Sequence, residues 1–322
     1  MNKVFRIGTR ESQLAVWQAT QVQNLLAQHG FAAELVYIKS EGDIDLKTPL
    51  YEMGVQGIFT RSLDIALLTD CIDIAVHSMK DVPTQLPSGI VTASVLKRAS
   101  YKDLLVYKKE AEVGNRQSAI GHSKNSDFPF TIDDSPLTIA TSSIRRKAQW
   151  LNRYPHHTID NLRGNVNTRL KKLAESPWNG AIFAAAGLER IGLRPEQSIE
   201  LDWMLPAPAQ GAIVVACREN DKYAFEACRL FNDEHTALCT AIERDFLRAL
   251  LGGCSTPISA LATIVNDEVH FEGNILSLDG KEKATIEKTI AINNSNNLGS
   301  IAAKELLANG GQVIADQIRN GK

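Results

Sequence analysis

Val4-Phe5-Arg6-Ile7-Gly8-Thr9-Arg10-Glu11-Ser12 and Leu137-Thr138-Ile139-Ala140-Thr141-Ser142-Ser143 follow one plan: a short apolar strand, a polar turn, then a residue able to cap a helix. After Ser12, the residues Leu14, Trp17, Val22, Leu25 and Leu26 fall near one helical face, and Gly30 stops the run. After Ser143 a helix runs through Trp150 and Leu151. Each unit is followed by a buried strand with a polar or glycine end: Ile72 to Val76 before His77, and Gly180 to Ala186 before Gly187. The repetition predicts two similar α/β halves. Ligands of open α/β sheets bind beyond the carboxyl ends of the strands. The polar motifs fall at those ends, so a ligand cleft is expected between the halves.

The rest of the chain fits around this pair. Ala33 to Lys39 reads as a strand, Phe59 to Leu68 as a helix, and Ala212 to Ala216 as one more buried strand. The polar segments 40–57 and 108–136 lack periodicity and read as a loop over a site and as an insertion or linker. Helical segments are expected from Asp221 to Leu250. The alternation from Val269 to Leu276 predicts a half-buried antiparallel strand, and a closing helix from Leu298 to Leu307 completes a small α+β third domain.

A chain of 322 residues exceeds one ordinary core. With 44% hydrophobic and 22% charged residues, the composition is that of a soluble globular protein. A net charge of −2 gives no broad basic field for nucleic acid or an acidic membrane. The N-terminus has no apolar stretch of signal-peptide type, and the five cysteines are odd in number, so reduced thiols in the cytoplasm are expected. No cysteine or histidine spacing suits a metal, and none is expected.

Three motifs carry chemistry. Arginines cluster at helix starts and strand ends: Arg10, Arg145, Arg146, Arg163, Arg169 and Arg190. Any one of them is more often an ordinary surface residue. As a set at such positions they fit a polyanionic small molecule, because helix N-termini and guanidinium groups both hold carboxylates and phosphates. Second, His77-Ser78-Met79-Lys80-Asp81-Val82-Pro83 delivers a carboxylate beside an ammonium at a sheet edge. A structural Lys–Asp pair is the plain alternative, and His77 is more simply a structural residue than a base. Third, Gly252-Gly253-Cys254-Ser255-Thr256-Pro257 places a thiol on a tight loop. Cys217, Cys228 and Cys239 sit in apolar strand or helix and read as core thiols. Cys254 is the one placed for nucleophilic or tethering chemistry.

Taken together, these segments resemble the porphobilinogen deaminase family. Ile7 to Ser12, His77 to Pro83, Thr141 to Arg146, Arg163-Gly164-Asn165, Ala185 to Leu188, Pro206 to Gly211 and Gly252-Gly253-Cys254 occur in the family's order. The resemblance implies two periplasmic-binding-protein-like (type II) α/β domains flanking a cleft, at 1–112 with 211–230 and at 113–210, plus a C-terminal α+β domain at 231–322. It implies head-to-tail condensation of four porphobilinogen molecules on a dipyrromethane cofactor, held by a thioether to Cys254, and a monomer without nucleic-acid or membrane partners. Asp81 is the expected catalytic group. Lys80, Asp81, Ser143, Arg145, Arg146, Asn165, Gln210 and Arg61 are expected at the cofactor, and Arg10, Ser12, Arg163, Arg169 and Arg190 at the substrate.

The chain departs from the family's pattern in places. Gln56 stands for a lysine and Arg61 for a second one; Asn167 and Ala209 stand for glycines, and Gln13 for a proline. The competing readings are a two-lobed anionic-solute-binding protein without catalysis and a transcriptional effector-binding domain of related fold. The first gives no role to Cys254, and no helix-turn-helix segment accompanies the second.

Overall fold

The computed structural model describes residues 3–39, 60–108, 136–250 and 256–320. The expected loop at 40–57, most of the segment 108–136, and Cys254 lie outside them.

Strand β1 (Phe5–Thr9) leads into helix α1 (Gln13–Gln28), whose N-terminus is capped by Ser12 through a 3.4 Å bond from the Ala15 amide. Gln18, Ala19, Val22 and Leu26 form the fully buried face of α1, and Trp17 and Leu25 pack beside them. β2 (Ala33–Tyr37), α2 (Arg61–Leu68), β3 (Ile74–Ser78) and β4 (Ile90–Val95) follow. Parallel pairing joins β1 to β2 and β3. β10 (Ile213–Arg218) then enters antiparallel between β3 and β4, giving the order β2-β1-β3-β10-β4.

The second half repeats this design. It contains β5 (Asp103–Tyr107), β6 (Thr138–Ala140), α3 (Ile144–Arg153), β7 (Thr158–Asp160), α4 (Val166–Glu175), β8 (Gly180–Ala184), α5 (Ala185–Glu189) and β9 (Ser198–Glu200). Its sheet has the order β7-β6-β8-β5-β9, with β5 antiparallel between β8 and β9. Each sheet therefore receives one antiparallel strand from a chain that has just crossed over. This is the two-lobed α/β arrangement expected from the motif repeat. The expected first unit ran to residue 112, but β5 pairs in the second sheet, because the chain crosses between Val95 and Asp103. The strand expected through Ala186 ends at Ala184; Ala185, Ala186 and Leu188 are buried in a helix, which alanine favours over strand.

The two crossings meet at Gly211. Its φ is +86°, and an added Cβ would lie 2.7 Å from the carbonyl oxygens of Ala99 and Ser100. Only glycine fits so close an approach. The Ala99 amide donates to the Gly211 carbonyl at 3.1 Å.

Helices α6 (Lys222–Arg229) and α7 (Glu234–Leu250) lead to the third unit. There β11 (Ile258–Val265), β12 (Glu268–Leu276) and β13 (Lys283–Ala291) form an antiparallel sheet. Helix α8 (Leu298–Leu306) and, after a kinked turn, α9 (Gln312–Asn320) cover it. Ile242, Phe246 and Leu250 of α7 share its core with Val269, Phe271, Ile275, Ala302 and Leu306. The sequence reading named one strand and one closing helix here; β11, β13 and α9 are additions.

Glu243 of α7 ties this unit to both crossings. Its carboxylate is fully buried. It accepts from Arg98 Nη1 at 2.6 Å and Nη2 at 2.9 Å, from the Ala209 amide at 2.6 Å and from the Ala262 amide at 2.8 Å. Breaking a buried, hydrogen-bonded charge pair from one side leaves an uncompensated charge and costs about 3–5 kcal/mol. Glu243→Gln should therefore melt well below the parent in calorimetry. Glu175→Gln, in the exposed Lys171–Glu175 pair, should melt with the parent. Equal melting of all three proteins would refute the assignment of Glu243 as the joint.

Candidate functional site

β3 is a buried strand that runs straight into a single tight turn, Met79–Asp81. The sheet fixes its start: the Met79 amide donates to the Ala212 carbonyl at 3.0 Å, and Gln18 Nε2 donates to Ser78 Oγ at 2.8 Å. The Val82 amide closes the turn on Met79 at 3.2 Å. Lys80 and Asp81 are thereby presented at the carboxyl end of β3, both half-buried.

The second half supplies the facing cations. Ser143 caps α3, so Arg145 and Arg146 occupy its first turn, and both are buried. Between them lies Asp103, the first residue of β5, with no exposed surface. Its carboxylate accepts from Arg145 Nη2 and Arg146 Nη2, each at 2.7 Å, and from Gln210 Nε2 at 2.8 Å. The second arm of Arg145 donates to the Leu205 carbonyl at 2.6 Å, and that of Arg146 to the Ile182 carbonyl at 3.0 Å. Burial opposes the charge on Asp103, but the two guanidinium groups prevail and hold its carboxyl well below the usual range.

Arg163 is buried just before Asn165, which caps α4 by accepting from the Thr168 amide at 2.9 Å. Arg169 Nε donates to the Gly164 carbonyl at 2.7 Å. Desolvation pushes Arg169 down to about 10, with Arg146 and Arg163 adding repulsion and Asp81 opposing it. Desolvation likewise pushes the Lys80 ammonium down to about 8, with Arg146 and Arg145 adding to it and Asp81 and Asp103 opposing. Lys80 and Arg169 keep partly open flanks, yet their charged ends lie deep enough to lose hydration.

Among the described residues, Lys80, Arg145, Arg146, Arg163 and Arg169 thus share one cluster with two carboxylates, Asp81 and Asp103. The Nε atoms of Arg145 and Arg146 are buried without a hydrogen-bond partner. Among the described residues this desolvated cluster holds more cations than carboxylates, which fits a ligand rich in carboxylates. It is a suitable cradle for the dipyrromethane that the sequence resemblance implies.

The other expected residues stand as follows. Burial and nearby Arg10 push His77 down to about 4, so it is neutral at physiological pH. Ser12 lies at the start of α1 and Arg61 on the exposed first turn of α2. Arg190 Nη2 donates to the Gly211 carbonyl at 2.7 Å, and its guanidinium lies 5.7 Å from the Trp17 ring. Gln210 differs from its expected role. It is fully buried, its amide nitrogen serves the Tyr101 carbonyl and Asp103, and its oxygen lies 3.4 Å from Lys80 Nζ. It supports the charged groups and has no exposed face for a ligand. Cys217 and Cys239 are buried and their thiols are pushed up to about 11, as core thiols should be.

Sequence reading missed Asp103, Arg98 and Glu243. A lone acid opening the apolar run Asp103-Leu104-Leu105-Val106 was the available signal for Asp103. Two departures from the family's pattern meet in space: Asn167 Nδ2 donates to Gln13 Oε1 at 3.0 Å, joining the starts of α4 and α1. A third, Ala209, has φ +61°. That is the left-handed region, where glycine would be unstrained.

Asp103 has a lowered carboxyl pKa in the folded state, so its contribution to stability is present above the unfolded value and is lost as pH falls towards the folded one. Asp103→Asn should be less stable than the parent by an amount that stays constant from neutral pH down to about 4 and shrinks below that. Denaturant midpoints measured across pH check this. A gap that widens with acid would contradict it.

Among the described residues, no helix is long and apolar enough to cross a membrane, and no group of three or more His, Cys, Asp or Glu could hold a metal ion. The family model for the porphobilinogen deaminase dipyromethane cofactor binding domain matches residues 5–226, and that for the porphobilinogen deaminase C-terminal domain matches 237–308. A probable porphobilinogen deaminase of Methanocella arvoryzae is 36% identical over 315 residues, covering 98% of each chain. Among solved structures, an ancestral cationic amino acid solute-binding protein covers 71% of this chain and 87% of its own, at 13% identity and a TM-score of 0.42. The VFT2 domain of Bordetella pertussis BvgS covers 70% and 85%, at 12% identity and a TM-score of 0.41. With both family models in order along the chain and a relative this similar over nearly its whole length, the chain belongs to the porphobilinogen deaminase family.

Proposed function

We propose that this protein joins four porphobilinogen molecules head to tail, releasing ammonia at each addition, and then frees the linear tetrapyrrole by hydrolysis. The observation that carries the reading is the desolvated cation cluster around Asp81. Each porphobilinogen brings an acetate and a propionate. The two rings of the cofactor and four added units would together bring about twelve carboxylates, which need cationic partners to leave water.

When bound, the dipyrromethane supplies the free pyrrole carbon that receives the first substrate, and Cys254 is its attachment point. Lys80, Arg145 and Arg146 hold its carboxylates, with Ser143 and Asn165 adding hydrogen bonds and Arg61 a further charge. Arg10, Ser12, Arg163, Arg169 and Arg190 serve the substrate. In each addition the C–N bond of the substrate's aminomethyl group would break with loss of ammonia, and a C–C bond to a free pyrrole carbon would form with loss of that carbon's proton. Asp81 stabilises the positive charge on the pyrrole nitrogens and helps to move that proton. The protein works as a cytoplasmic monomer.

Intact masses provide the first test. The parent should carry an excess equal to two linked pyrrole units, and Cys254→Ser should lack it. Asp81→Ala should keep the fold and that excess but lose nearly all turnover. A parent with polypeptide mass alone, even after incubation with porphobilinogen, would instead favour a solute-binding protein.

Lys80 gives a pH test. Its charge is present below about 8 and is lost as pH rises through that value. Loading of cofactor-free protein should therefore slow above pH 8, and Lys80→Arg should remove that decline. An unchanged decline in the variant would assign it to another group.

A further inference from the structure

The turn that carries Asp81 is anchored by the sheet at its start, but among the described residues its far side has no strand partner. Pro83 lacks an N–H and cannot extend the turn. The carbonyls of Met79, Val82 and Pro83 meet one side chain from the third unit instead. Arg244 Nη1 donates to Val82 at 2.9 Å and to Met79 at 3.3 Å, and Nη2 donates to Pro83 at 2.5 Å. Backbone carbonyls withdrawn from water need donors, and a planar guanidinium can serve several with one rigid group.

Arg244 is half-buried and follows Glu243 directly on α7. That neighbour fixes the helix to Arg98 and to the Ala209 amide. The helix is therefore already immobilised where Arg244 leaves it, and the side chain transmits that position to the turn. In the chain, the segment bearing Cys254 follows the end of α7 at Leu250.

We propose that Arg244 is a positioning residue for the reaction: by gripping the carbonyls of Met79, Val82 and Pro83, it holds the Asp81 carboxylate in register with the third unit. The proposal rests on the reading of Asp81 as the catalytic group. Arg244 itself touches neither substrate nor cofactor in this role. A displaced carboxylate slows chemistry more than it weakens substrate binding, because the substrate's cations Arg163 and Arg169 lie on the second half, where the Gly164 carbonyl holds Arg169 independently of the turn.

The test uses full-length, cofactor-loaded protein, with loading verified by intact mass, and measures kcat and KM well below the melting temperature. Arg244→Gln should lower kcat by about ten- to a hundredfold, the range expected when a reacting group is displaced by about an ångström. KM should change little, and the two-pyrrole mass excess should remain. Arg244→Lys, which can serve fewer carbonyls at once, should fall between the variant and the parent. Arg248→Gln, on the exposed side of the same helix, should behave as the parent. If Arg244→Gln does not fold, the lysine variant decides: a lower kcat at unchanged KM supports the role, and a parent-like kcat overturns it. Loss of the mass excess together with kcat would also overturn it, since that is the signature of a collapsed site. Asp81→Ala runs alongside. Near-normal turnover there would overturn both the catalytic reading and this role, whereas an inactive Asp81→Ala beside a parent-like Arg244→Gln would overturn this role alone.

Discussion

The guanidinium groups of Arg145 and Arg146 lie side by side, both buried, and both rest on the carboxylate of Asp103. Removing such charges from water costs several kcal/mol per ion, and two like charges in a low-dielectric interior repel as well. Asp103 offsets part of this, but one carboxylate cannot neutralise two arginines. The group keeps a residual positive charge and two Nε atoms without partners. A residual positive charge held this rigidly suits an anionic group, and in the proposed function it would fix where that group sits. The position of Asp103 depends in turn on the crossing that begins β5, and on Gln210 from the returning crossing, which also reaches Lys80. The fold and the site share these contacts.

Helix α7 is the second organiser. Consecutive residues on it do different work: Glu243 fastens the two crossings, and Arg244 fastens the turn of Asp81. The start of α7 is secured as well. Asn232 Oδ1 accepts from the Val95 amide at 2.9 Å, and the Asp233 amide donates to the Val95 carbonyl at 2.8 Å. The third unit is therefore joined to the first at the end of β4, at the crossings and at the Asp81 turn, all through one helix. A domain that carries the tethering cysteine in the proposed mechanism needs this kind of attachment, because the tether is useful only if it is fixed relative to the reacting carboxylate.

Much of this was legible in the sequence. The repeat of strand, polar turn and capping serine at Ser12 and Ser143 identified the two halves, because caps and burial periods are local properties. Of the motif arginines, Arg145 and Arg146 lie near Lys80, and Arg169 lies near Asp81 and Arg163. Long-range partners were not legible. Asp103, Arg98 and Glu243 are ordinary charged residues in sequence, and only tertiary contact shows that two of them are fully buried carboxylates. The Gln210 side chain suits a ligand hydrogen bond by type, and nothing local in the sequence shows that protein groups surround it. β5 was placed with the wrong half for a similar reason, since Asp103-Leu104-Leu105-Val106-Tyr107 does not encode which sheet it joins.

The departures from the family's pattern bear on how the halves are held. Gln13 and Asn167 replace a proline and a glycine, and the bond between them joins the starts of α1 and α4 at an exposed position. A neutral hydrogen bond of this kind contributes roughly 0.5–1.5 kcal/mol, and less where water competes for both partners. The cations in the cleft are desolvated, which is the main reason that Lys80 and Arg169 have lowered values, and charges out of water interact more strongly than a neutral pair does. This one bond is thus weak beside the attraction that a polycarboxylate would exert on cations from both halves, Lys80 from the first and Arg146 and Arg169 from the second. In the proposed reaction the growing chain itself becomes the main electrostatic link between the halves, and each added acetate and propionate pair changes how strongly they are drawn together.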